Sequence, residues 1–234
     1  MRTYRLEIRL IQTATALALI VLIAGFLGLW GQSGKSPLGT TGTESNAQGK
    51  TTNSTQTLTN PKIVALGDSF TLGYPLDAAH SWTQRTAEVL KVTVVNKGKK
   101  TQTAKDLLAR FDADVVAEKP GRVIIFAGIG DAINNVALKE VQTNIQGMVD
   151  KAKSNHIIPV LALPIGYPGA QQNVKDIRDW ELTYTKKENI LTLDFSSVLF
   201  DSAGKYLSGL STDEKYPNAK GYETMGDYAA RVLK

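Results

Sequence analysis

The chain has 234 residues, a formal net charge of +5 and no cysteine, which gives room for one ordinary domain plus an extra segment and excludes disulfides and thiolate metal sites. The charge lies largely at the front. Residues 1–60 carry Arg2, Arg5, Arg9, Lys35 and Lys50 against Glu7 and Glu44, a net +3, which leaves +2 for residues 61–234. A domain so nearly neutral gives no support for nucleic-acid binding.

In chain order, the first element is an apolar run from Ala14 to Trp30, interrupted only by Thr15 and preceded by the three arginines. It is close to the shortest helix that spans a bilayer. The sequence therefore predicts a transmembrane anchor over residues 11–30, with residues 1–10 cytoplasmic and the rest outside, since basic residues stay inside. A cleaved signal peptide, and hence a secreted domain, is the other reading. Gly31-Gln32-Ser33-Gly34 lacks a small-x-small cleavage pattern, and without cysteine there is no lipobox. Residues 31–60 are rich in Gly, Ser, Thr, Asn and Gln and cannot bury enough apolar surface to offset the entropy of ordering. They read as a flexible linker between the membrane and a domain over residues 61–234.

From Pro61 onward short β-branched runs alternate with amphipathic stretches. The strands are expected at Lys62–Leu66, Val92–Asn96, Arg122–Ala127, Ile157–Leu163 and Ile190–Phe195, each apolar enough to be buried on both faces. Helical spacing is found at Trp82–Leu90, Ala104–Ala117, Leu138–Lys153, roughly Gln172–Lys187, and Asn218–Leu233. Strands separated by helices of this length imply right-handed crossovers and a parallel sheet. The expected fold is a three-layer α/β/α sandwich, flavodoxin-like, with five parallel strands. Functional residues should then lie in the loops that follow strands.

The first such loop holds the most informative motif. The run Ile63-Val64-Ala65-Leu66 ends in Gly67-Asp68-Ser69-Phe70, which places a serine at the carboxyl end of a strand. Asn96-Lys97-Gly98, Gly128-Ile129-Gly130-Asp131 and Asp213-Glu214-Lys215-Tyr216-Pro217-Asn218-Ala219-Lys220-Gly221-Tyr222 follow in order. Together these four blocks resemble those of the SGNH, or GDSL, hydrolases, a superfamily of serine esterases and lipases. The resemblance implies a nucleophile at Ser69 and a supporting carboxylate at Asp213. It implies an oxyanion hole built from the N–H of Ser69, the N–H of residue 101 and the side chain of residue 130. No cofactor or metal is implied.

Three of these positions depart from the pattern. The histidine of the family's Asp-x-x-His pair falls on Tyr216, the second-block glycine on Thr101 and the third-block asparagine on Gly130. A phenol with a pKa of about 10 is a poor general base at neutral pH. Of the two histidines, His156 precedes a strand and should lie at the far edge. His80 follows the Ser69 segment and could reach the serine, or merely flank the cap residue Ser81. Lys97, Lys99 and Lys100 could attract an anionic ligand or simply lie on a solvated loop. Asn134 and Asn135 could replace the missing amide donor or cap the next helix. Tyr74, Trp82 and Tyr167 could line a sugar-binding surface or simply pack.

Two functions are compatible with these residues. One is a membrane-anchored extracytoplasmic serine esterase acting on acyl or acetyl esters of the cell envelope. The other is a catalytically impaired relative that binds an envelope glycan or lipid in the same pocket. In both the partners are a small-molecule, glycan or lipid ester ligand and the membrane.

Overall fold

The computed structural model describes residues 60–234. The predicted anchor and all of the linker except Asn60 lie outside the described residues. Among the described residues, no helix is long and apolar enough to cross a membrane.

Five parallel strands, β1 (Ile63–Gly67), β2 (Val94–Gly98), β3 (Arg122–Phe126), β4 (Ile158–Ala162) and β5 (Leu191–Leu193), form one sheet in the order β2-β1-β3-β4-β5. Ile63 sits opposite Val94 on one side and Arg122 on the other, so β2 and β3 flank β1 in matching register. The chain thus leaves β1 in one direction and returns past it to β3. That reversal opens a crevice at the carboxyl end of β1, where ligands bind in open α/β sheets.

The central strands alternate strictly between two cores, as a strand's period of two requires. Val64, Leu66, Val123, Ile125 and Leu161 pack with Leu107, Phe111, Ile145 and Ile177 on one face. Ile63, Ala65, Ile124, Phe126 and Ala162 pack with Trp82, Phe195, Tyr222 and Met225 on the other. Helices therefore cover both faces. The expectation of strands buried on both sides holds for β1, β3 and the interior of β4. It fails for the edge strands: β2 is half-buried throughout and β5 begins exposed at Leu191.

The helices are α1 (Ser69–Leu72), α2 (Trp82–Leu90), α3 (Ala104–Ala109), α4 (Phe111–Asp114), α5 (Ile129–Ile133), α6 (Leu138–Ser154), α7 (Gln171–Glu188), α8 (Ser196–Leu199) and α9 (Ala219–Leu233). The expected single helix over Ala104–Ala117 is split at Arg110, whose backbone (φ −104°, ψ 6°) leaves helical geometry. Thr103 and Asp106 form a reciprocal capping box at the start of α3. Asn218 does not belong to the last helix but caps it, accepting the Gly221 N–H at 3.0 Å. The short helices α1, α5 and α8 escape sequence periodicity because one turn carries no repeat to detect.

Candidate active site

The turn after β1 is built around two adjacent side chains. Asp68 caps α1 by accepting the Phe70 N–H at 2.9 Å, and Ser69 opens the helix with its side chain nearly buried. The Ser69 Oγ accepts the Thr101 N–H at 3.3 Å, so the serine already faces one backbone donor. Asn96, in β2, braces this arrangement: its Nδ2 donates to the Thr71 carbonyl at 2.7 Å and to the Thr83 hydroxyl at 2.9 Å. Its Oδ1 accepts the Gly98 N–H at 2.8 Å. One amide thus ties α1, the start of α2 and the end of β2 together.

Burial pushes the Asp68 carboxyl up to about 7, with the neighbouring Asp131 charge adding to the effect and the Phe70 N–H opposing it. Burial also raises Asp131, which accepts the Ala104 N–H at 2.8 Å. An acid raised in the folded state binds its proton more tightly there than in the unfolded chain. The stability that protonated Asp68 contributes is therefore complete below the ordinary value of 3.8 and is lost as pH climbs to about 7. Asp68→Asn keeps an oxygen for Phe70 but cannot ionise. Its thermal midpoint relative to the wild type is expected to rise between about pH 4 and about pH 8. An offset that stays constant over that range would show that Asp68 does not titrate there.

The last block approaches from the other side. Asp213 Oδ1 accepts the backbone N–H groups of Lys215 and Tyr216, both at 2.9 Å, and the Ser211 hydroxyl at 3.3 Å. Burial works against ionisation of Asp213, but the Tyr216 and Lys215 N–H groups outweigh it and hold the carboxyl below its usual range. The Tyr222 hydroxyl donates to the Tyr74 carbonyl at 2.5 Å, which fastens α9 to the segment after α1.

Tyr216 is packed rather than poised. Its ring lies 5.0 Å from Phe70, 4.9 Å from Tyr74 and 5.8 Å from Tyr167, measured between centroids. Burial, then the Tyr167 phenol, then the charge of Asp68 push its hydroxyl above the ordinary phenol range. A phenol shifted in that direction gives up its proton less readily and is no base at neutral pH. The residue at the expected histidine position has thus become part of an aromatic wall beside Ser69.

The oxyanion side is altered in a way the sequence does not reveal. Thr101 adopts φ +57°, a left-handed conformation that is costly for a β-branched residue. Gly130 lies in α5 directly against the loop that carries Thr101. A Cβ added there would stand 2.2 Å from the Gln102 carbonyl oxygen, far inside contact distance. Gly130 therefore lacks not only the amide of an asparagine but room for any side chain.

The remaining candidates are dispersed. The His80 Nδ1 lies 2.7 Å from Asp77 Oδ1, and its mostly exposed ring faces a cleft of about 560 Å³ bordered by Arg85, Glu88, Lys220 and Glu223. No hydrogen bond joins it to Ser69 among the described residues. His156 is exposed in the turn before β4, at the edge opposite the site. Lys97 pairs with Glu118 at 2.9 Å and Lys99 with Asp114 at 3.4 Å, so the expected lysine cluster does not converge. Only Lys100 reaches the aromatic wall, 4.2 Å above the Tyr74 ring. Asn134 donates to the Gly130 carbonyl and Asn135 accepts from Asn173. They close α5 rather than cap the next helix, which starts after Ala137. Trp82 is fully buried against Phe195 and lines no surface. Beyond Tyr167 a cleft of about 500 Å³ continues past Arg178, Lys205, Tyr206 and Glu214. Among the described residues, no group of three His, Cys, Asp or Glu side chains could hold a metal.

The model of the GDSL-like lipase/acylhydrolase family matches residues 65–224, from β1 into α9. The chain belongs to this family. A solved protein of the G-D-S-L family from Desulfitobacterium hafniense is 56% identical, with 74% of this chain and all of that one covered and a TM-score of 0.73. An esterase of Pseudomonas aeruginosa, TesA, is 31% identical over 49% of this chain and 59% of its own length. An uncharacterized lipoprotein of Bacillus subtilis, YqeF, is 30% identical over 42% of this chain and 46% of its own. The chain thus spans about half the length of these two curated relatives. The GDSL fold accounts for the position of the Ser69 turn, and GDSL proteins bind small-molecule esters, which agrees with the crevice beside it.

Proposed function

We propose that this GDSL-family domain is a catalytically impaired relative that holds an ester-bearing glycan or lipid of the cell envelope in the pocket beside Ser69. One observation carries the reading: Tyr216 occupies the expected histidine position, wedged among Phe70, Tyr74 and Tyr167 with its hydroxyl held in the protonated form. A serine without a base is a weak nucleophile, and removal of the base from a serine triad costs on the order of a millionfold in turnover. A ligand carbonyl bound there would meet the Ser69 hydroxyl, the Thr101 N–H that now bonds it, and the aromatic wall of Phe70, Tyr74 and Tyr216. An envelope location is supported by the arginine-flanked apolar run and by the lipoprotein relative. The cysteine-free chain would be attached through that run rather than through a lipid.

A serine esterase is the second reading, favoured by the hydrogen bond already made between Ser69 Oγ and Thr101. Asp213 would support it, and His80 or a water would have to take the proton. One experiment separates the two. The full chain, recovered from the membrane fraction of producing cells, is given a short activated acyl ester beside Ser69→Ala. Equal rates are expected. A rate that vanishes in the variant would establish the esterase, and a chain found only in the medium would make the domain a secreted one.

A further inference from the structure

We infer that Arg110 is a positioning residue that holds the Thr101 N–H against the Ser69 hydroxyl. The inference rests on the reading of the Ser69 pocket as the functional site. Arg110 stands at the break between α3 and α4 with a largely buried side chain, and its guanidinium makes three bonds to three separate pieces of the site. Nη2 donates to the Gly67 carbonyl at 2.9 Å, at the end of β1 immediately before Asp68 and Ser69. Nε donates to Gln102 Oε1 at 3.1 Å, next to Thr101. Nη1 donates to Asp114 Oδ2 at 2.5 Å, and the same carboxylate draws in Lys99 Nζ at 3.4 Å.

Thr101 is therefore gripped from both flanks, through Gln102 on one side and through Asp114 and Lys99 on the other. The Gly67 carbonyl gathers the two parts, accepting the Lys99 N–H at 3.1 Å as well as Arg110. The loop needs such a grip. A β-branched residue at φ +57° persists only where its surroundings over-determine it. A backbone donor is useful to a ligand or an oxyanion only when it is fixed before binding. A planar fork can serve three acceptors at once, which an ammonium on a flexible stem cannot do in the same geometry. The break at Arg110 that splits the helix points this fork toward Gly67 rather than along the helix surface.

The test uses the full chain, Arg110→Lys and Arg110→Met. NMR-detected hydrogen exchange is read at Thr101 and at Val123–Phe126 in β3. In both variants the Thr101 amide is expected to exchange about tenfold faster or more while the β3 amides keep their rates. Unchanged exchange at Thr101 overturns the inference. So does an equal acceleration in β3, which would make Arg110 a general stabiliser. A parallel readout uses Tyr216→His as host: adding Arg110→Lys should lower kcat about tenfold or more and leave KM within about twofold. If no Ser69-dependent turnover exists in any background, the reading of the site's chemistry fails while exchange at Thr101 still decides the role of Arg110.

Discussion

Tyr216→His is expected to create Ser69-dependent ester hydrolysis at least about a hundredfold above the parent chain, read with a short activated acyl ester near pH 8. On the proposed reading Asp213 would accept from the imidazole: its carboxyl is held below the usual range by the N–H groups of Lys215 and Tyr216. The serine already faces the Thr101 N–H. On that reading, the one part lacking is a group able to take a proton, and an imidazole with a pKa of about 6.5 would supply it. The induced rate should therefore rise as pH climbs through that value and level off above it. It should also vanish when Ser69→Ala is added. A smaller ring leaves a gap among Phe70, Tyr74 and Tyr167, so some loss of stability will accompany the gain. No gain at any pH would mean either that the oxyanion hole is also broken or that the assignment of the last block to position 216 is wrong.

Gly130→Asn is expected to do the opposite of a repair. By sequence alone it restores an oxyanion donor, and removing such a donor from a working site costs about two to three orders of magnitude. In this structure the new Cβ would lie 2.2 Å from the Gln102 carbonyl oxygen. The obstacle is backbone, in a loop already fixed by Arg110 and by the Thr103 capping box. Overpacking of this kind costs about 1–3 kcal/mol, to be read as a lowered midpoint in urea. The displaced loop should also loosen the Thr101 donor, so Gly130→Asn added to Tyr216→His should lower the rate. A rate increase with unchanged stability would show that the loop yields freely and that the position is merely unoccupied.

The sequence exposed the parts of the fold that rest on local chemistry. The Val- and Ile-rich runs of β1, β3 and β4 and the Gly67-Asp68-Ser69 turn are legible because burial and turn geometry act on neighbouring residues. The split at Arg110 is not legible, because the break aligns with a carbonyl at Gly67, distant in sequence. The dispersal of Lys97 and Lys99 depends on Glu118, in the segment between α4 and β3, and on Asp114, at the end of α4, both placed only by tertiary packing. Tyr216 was recognisable as a departure from the family pattern. That it is locked in an aromatic wall required the loops after β1 and β4 to be seen together. Asn96 was noted as part of a block, but its role as a brace depends on Thr71 and Thr83 meeting it.

The Gln102 carbonyl pressed against Gly130 also gives the chain's history a direction. Tyrosine and histidine codons differ by a single base, so the base position is one mutation from the family pattern. The donor position is not. An asparagine at 130 forces residues 101–103 to move, and that movement loosens the Thr101 donor it would work beside. Lineages descending from this chain can thus regain a proton acceptor in one step, whereas the full oxyanion hole asks for compensating change in residues 101–103 as well. Any activity recovered along that route would have to work with two donors, from the backbone alone.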